Sequence, residues 1–225
     1  MFPLSDSIAA RSFPIINIAI ILTTVYVFYL QITAPDFESF IFQYALIPAS
    51  IDFGNYATLT PFVASIFLHG GFLHIISNMW FLWVFGDNVE GHLGKLTYPV
   101  VYLLSGIAGG VAQYFVSPTS QIPMLGASGA VAGTLGAYYV LFPHSKIKTL
   151  VPFFGFISVV DIAAPFMLGY WFILQLFSGA ASLPFVGSET GGVAFFAHVG
   201  GFITGVVVAN ILKEGKTGVI EGELV

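Results

Sequence analysis

Charge is what this sequence lacks most. Asp, Glu, Lys and Arg make up 8% of its 225 residues, while 57% are hydrophobic and 16% aromatic. Soluble domains carry roughly a quarter of charged residues. With a mean hydropathy of +0.92, that balance excludes an ordinary water-soluble enzyme and a disordered chain. Cysteine is absent, which excludes a disulfide framework, thiolate metal sites and a cysteine nucleophile. Six basic residues stand against eleven acidic ones, a net charge of −5. The clustered Lys and Arg that a nucleic-acid backbone requires are missing, so no nucleic-acid partner is expected. What is present is a chain built to face lipid. It reads as an all-α, polytopic membrane protein.

Gaps between charges locate the crossings, since a bilayer core takes about 20 apolar residues in helix. They predict transmembrane helices over 13–32, 61–86, 97–116, 124–142, 163–178 and 194–212, in one domain spanning 1–225. The uncharged run 96–145 holds two of them, broken at Ser117-Pro-Thr-Ser-Gln-Ile-Pro123, because proline and small polar residues end helices. On this map Arg11, Lys95, Lys146, Lys148, Lys213 and Lys216 all fall on one face. The opposite loops carry only Asp36, Glu38, Asp52 and Glu189. The positive-inside rule then places both termini in the cytoplasm. No small-x-small cleavage site follows the first apolar run, which reads as a retained helix rather than a signal peptide. The compact core suits a prokaryotic plasma membrane.

Three connections stand out. Residues 33–60 form a long outer loop containing Phe40-Ile-Phe-Gln-Tyr-Ala-Leu-Ile47, which predicts structure at the membrane interface. Residues 179–193, rich in Gly, Ala and Ser, predict a mobile outer loop. Residues 149–161, broken by Pro152, are expected at the inner interface. The alternative there makes Asp161 a buried acid with a functional partner.

In so apolar a chain the informative residues are polar ones at membrane depth, which must face protein or a wet cavity. His74 and Asn78 are four apart and share a helix face. They are either oxyanion donors or interhelical hydrogen-bonding groups. Ser128, in Gly126-Ala-Ser-Gly129, starts the fourth predicted helix, where free backbone N–H groups gather. Gly129, Ala132, Gly133 and Gly136 complete a small-residue sector around it. His198 opens the sixth predicted helix, with Gly201, Gly205 and Ala209 on its face. Packing the two small stripes together brings serine and imidazole close, as an activated serine requires. Taken singly, each has a structural reading; together they supply a nucleophile, a base and oxyanion donors, the minimum for acyl transfer. A Ser–His dyad also avoids a buried carboxylate charge. His69 and His74 are five apart, poor spacing for one metal, and no metal or cofactor is expected.

These motifs resemble the rhomboid family of intramembrane serine proteases. The matching segments are His69-Gly-Gly-Phe-Leu-His74 with Asn78, Gly126-Ala-Ser-Gly129, and Ala197-His-Val-Gly-Gly201 with Gly205. The resemblance implies Ser128 as nucleophile, His198 as general base, and Asn78 and His74 with the Ser128 N–H as oxyanion hole. His69, Gly126, Gly129, Gly201 and Gly205 would support the site. It further implies transmembrane protein substrates, entering beside Trp171 and Phe172 and cut near the outer face of the bilayer. Loop 33–60 would lie in the outer leaflet, and loop 179–193 would cap the site. Two positions depart from the family. Some members carry a tyrosine, stacked on the catalytic histidine, where this chain has Ala132. A Trp-Arg pair of the first loop has no counterpart in Thr60-Pro61. The alternatives are a catalytically silent membrane-helix-binding protein on the same fold and a transporter, which the lack of an inverted repeat and of paired intramembrane charges disfavours.

Overall fold

Helix α1 (Ile15–Thr33) starts after Pro14 with no side-chain cap of its own. Glu90, from a helix more than seventy residues later, does that work: its carboxylate accepts the N–H groups of Ile16 at 3.2 Å and Asn17 at 2.7 Å. A carboxylate at a helix N-terminus satisfies orphan donors and meets the positive end of the dipole. Asn17 continues the network, donating to the Leu82 carbonyl and accepting from Tyr98 OH. Thus buried polar groups lock the start of α1 to its neighbours.

The computed structural model describes residues 1–153, 156–183 and 193–222. After α1 come α2 (Phe37–Tyr44), α3 (Pro61–Ala64), α4 (Phe72–Leu93), α5 (Thr97–Val116), α6 (Ser128–Leu141), α7 (Ala164–Ser182) and α8 (Phe195–Gly222). Asp36 caps α2 through the N–H groups of Glu38 and Ser39, and the apolar stretch of the first loop is helical as far as Tyr44.

Among the described residues, four helices are long and apolar enough to cross a bilayer: α1, α5, α7 and the α8 segment Phe195–Lys213. A fifth crossing arises if Tyr56–Phe67 and α4 count as one span bent by 79°. The chain is thus an integral, multi-pass membrane protein, mostly helical as its composition demands. The fourth helix, expected at 124–142, is α6, with 14 residues. At 1.5 Å per residue it falls well short of a bilayer core of about 30 Å. Its flanks explain why it needs no lipid contact: ten of the 14 residues are buried, enclosed by α4, α5, α7 and α8.

The expected helix 61–86 is corrected at both ends. His69-Gly70-Gly71 breaks it, and α4 begins only at Phe72. It then runs past Gly86 to Leu93, stopping where Gly94 takes a φ of +91°. The helix carries Asn88 and Glu90 inside, both buried; charge gaps alone miss this because each polar group has a partner in another element.

A small sheet was not expected. Strands β1 (Phe2–Asp6), β2 (Lys146–Phe153) and β3 (Phe156–Ala163) pair antiparallel in the order β1-β2-β3. Of segment 149–161, residues 149–153 lie in β2 and 156–161 in β3, paired with each other. Asp161 is exposed on β3 and faces Lys148 across the ladder, not a partner buried between helices. Strand β1 is tied down by Trp80, which donates to the Pro3 carbonyl at 2.6 Å, and by Asp6. That carboxylate accepts from Asn88 Nδ2 at 2.7 Å and Tyr138 OH at 2.6 Å. Arg11 lies against Gly91 near the end of α4, and Lys146 and Lys148 lie on β2. Basic residues thus gather at the sheet end, and Ser128, His74 and His198 at the other.

Candidate active site

The close packing of α6 on α8 is made by glycine. A Cβ at Gly201 would strike the Gly129 carbonyl, and one at Gly205 the Gly133 carbonyl. At Gly136 it would meet the backbone of Phe202. The other flank of α8 closes on α5, where a Cβ at Gly109 would strike the Ala197 carbonyl. Gln113 of α5 also accepts the Phe196 N–H at 3.2 Å, capping the start of α8. These contacts bring the first turns of α6 and α8 side by side, Ser128 on one and His198 on the other.

Ser128 is the first residue of α6, half-buried. The loop before it is pinned by a two-bond bridge between Leu46 and Met124, 2.9 and 2.8 Å, and by Gly126 N–H on the Ser65 carbonyl. Gly126 has φ +125°, a conformation that favours glycine. A Cβ there would meet His74 Cε1 and Nε2 at 2.7 Å and lie 3.8 Å from Ser128 Oγ. The His74 ring edge and the Ser128 hydroxyl therefore flank one point. Among the described residues Ser128 Oγ makes no hydrogen bond, so it does not bond His198 in this resting geometry.

His74 Nδ1 accepts the Gly70 N–H at 3.3 Å. A neutral imidazole that accepts at Nδ1 carries its proton at Nε2, the atom facing Gly126. Asn78 Nδ2 lies 3.2 Å from both the His74 carbonyl and His69 Nε2, so both of its amide hydrogens are engaged. His69 is fully buried. Gln31 of α1 holds its backbone on both sides, accepting its N–H at 3.1 Å and donating to its carbonyl at 2.6 Å. The kink before α4 is fixed by that pair.

His198 is 9% exposed. Its Nδ1 lies 2.7 Å from Gln175 Oε1, and its ring centroid 5.9 Å from that of Trp171, both on α7. Ala132 is fully buried and offers the imidazole no ring. Sequence reasoning passed over Gln31 and Gln175, although both are polar residues in uncharged helical runs. The rule that singled out Asn78 applies equally to them. Residues 184–192, most of the loop expected to cap the site, lie outside the described residues.

The fold and the site define a class: a multi-pass membrane protein whose helices enclose a serine, two histidines and amide donors at one end. The family model of the rhomboid domain matches residues 56–215, and the chain belongs to the rhomboid family. Rhomboid protein 1, mitochondrial, of Saccharomyces cerevisiae is 32% identical over 149 residues, 64% of this chain and 39% of that protein. The putative rhomboid protease YdcA of Bacillus subtilis is 36% identical over 109 residues, 44% of this chain and 54% of the relative. Rhomboid protease GluP of the same organism is 31% identical over 161 residues, covering 71% and 26%. The chain spans about a quarter to just over half the length of these relatives. Two of these relatives are named as rhomboid proteases, one of them as putative.

Proposed function

We propose that this chain is an intramembrane serine endopeptidase that cuts transmembrane segments of membrane proteins near the outer face of the bilayer. Ser128 is the nucleophile and His198 the general base. His74, Asn78 and the Ser128 backbone N–H form the oxyanion hole. The observations that carry this reading are the partners of two ring nitrogens, the Gly70 N–H at His74 Nδ1 and Gln175 Oε1 at His198 Nδ1. His74 presents an N–H, as an oxyanion donor must, and His198, with Nδ1 donating to a carbonyl oxygen, presents a bare Nε2, as a base must.

In the reaction Nε2 of His198 takes the Ser128 proton as Oγ bonds to the substrate carbonyl carbon. The peptide C–N bond breaks as His198 returns that proton to the leaving amine. Water then attacks the acyl-enzyme by the same route, releasing the acid and restoring Oγ–H. The Ser–His bond absent at rest forms as substrate docks, since catalytic hydrogen bonds are often loose in apo enzymes. One Asn78 hydrogen leaves the His74 carbonyl or His69 for the oxyanion. A 14-residue α6 starts below the outer surface of the bilayer, which supports a site reached from within the membrane beside α7. Both termini and the sheet then face the cytoplasm, and loop 33–60 lies in the outer leaflet. Gathering of basic residues at the sheet end supports that orientation.

The test is reconstitution in proteoliposomes with a set of transmembrane peptides carrying helix-breaking residues near one end. Wild type releases fragments cut within the apolar span, and Ser128→Ala releases none. Full cleavage by Ser128→Ala overturns the assignment. Peptides that crosslink to wild type and stay intact favour the silent binder.

A further inference from the structure

We infer that Gln175 is a positioning residue that fixes the proton of His198 on Nδ1. The inference rests on the reading of His198 as general base. An amide carbonyl oxygen only accepts, so Nδ1, 2.7 Å from Gln175 Oε1, donates. A neutral imidazole holds one proton, and Nε2 is left with its lone pair. Without that partner either nitrogen can carry the proton, and the Nε2–H form cannot take one from a serine.

Two further observations support the assignment. Gln175 and Trp171 are four residues apart on α7, hence on one face, and both meet the imidazole. One fixes its tautomer and the other its ring plane. Ala132 of α6 is fully buried and supplies neither, so α7 is the element that holds the imidazole from the side. A neutral amide is also the economical choice of partner. A carboxylate would orient the ring equally well but would place a charge among apolar helices.

The test uses the full chain in detergent with three variants: Gln175→Leu, which removes the acceptor, Gln175→Glu, which keeps one, and His198→Ala, which assigns the spectrum. The first readout is the rate of labelling by a fluorophosphonate probe, which reports an activated serine without a peptide substrate. The second is the nitrogen-15 spectrum of histidine-labelled protein, which separates protonated from bare ring nitrogens. In wild type the His198 resonances should show Nδ1 protonated and Nε2 bare. Labelling of Gln175→Leu should fall roughly 10–100-fold, with His198 shifting toward Nε2–H. Gln175→Glu should stay within a few-fold of wild type. Nε2–H in wild type, an unchanged tautomer in Gln175→Leu, or equal losses in both variants overturns the inference. Wild type that never labels instead contradicts the protease reading, and the tautomer still decides the role of Gln175.

Discussion

His74 and His198 meet opposite kinds of partner at the same ring nitrogen. His74 Nδ1 accepts from the Gly70 N–H, and His198 Nδ1 pairs with the Gln175 carbonyl oxygen. The same side chain is thereby turned into a donor at one position and an acceptor at the other, by backbone in the first case and by a neighbouring helix in the second. No buried carboxylate is needed for either.

His74→Ala removes the donor at Nε2, and Asn78→Ala removes an amide that can turn to the oxyanion. Each should lower kcat on a transmembrane peptide by roughly 10²–10³-fold, with KM little changed, as for a lost oxyanion donor. A change in KM alone in both variants would show that these groups hold substrate uniformly rather than the transition state.

Gly126→Ala places a Cβ against the His74 ring in a backbone region with φ +125°. The substitution should leave the helices folded while displacing His74, and turnover should fall at least about tenfold. Full activity with unchanged thermal stability would mean that the loop relaxes freely and that Gly126 does not set the geometry.

Gly205→Leu drives a side chain into the Gly133 carbonyl where α8 crosses α6. Overpacking typically costs about 1–3 kcal/mol even where the neighbours are side chains that can move; here the obstacle is backbone. The variant should unfold at a markedly lower temperature or fail to accumulate. Gly169, around which a Cβ meets nothing within 4 Å, is the control, and Gly169→Ala should behave as wild type. Equal stability of Gly205→Leu and wild type would contradict the packing described.

How much of this was legible in the sequence follows from the same contacts. The motifs gave the order Asn78, Ser128, His198 and the glycine stripe, because close helix packing leaves a one-dimensional trace in small residues. Helix limits were less legible. A charge gap ended the second helix at Gly86, but Asn88 and Glu90 are buried within α4 because α1 and β1 supply their partners. The sheet was hidden for a similar reason: β1 lies about 140 residues before its partner β2, and no local pattern links them. Gln175 was visible as a polar residue in an apolar helix, but its partner is revealed only when α7 and α8 are placed together.

Burial of Asp6 couples stability to pH. Burial pushes its carboxyl above the ordinary value of 3.8, offset in part by hydrogen bonds from Tyr138, Ile8 and Asn88. The folded chain therefore binds more protons here than the unfolded one from about pH 3.8 upward. Stability contributed at this position falls as pH rises through that window. Asp6→Asn keeps an acceptor for Tyr138 and Asn88 without the charge. At pH 7 it should unfold at the same or a higher temperature than wild type, with the difference vanishing near pH 3.8. An Asp6→Asn variant less stable than wild type at pH 7 would contradict this.

We propose Ser128 as a nucleophile activated by His198. The most direct test is to treat the purified chain with a fluorophosphonate, digest it and map the modified residue by mass. One adduct per chain, on Ser128, is expected in wild type, with none in Ser128→Ala or His198→Ala. An adduct on a different serine, or on Ser128 at an undiminished rate in His198→Ala, would contradict it.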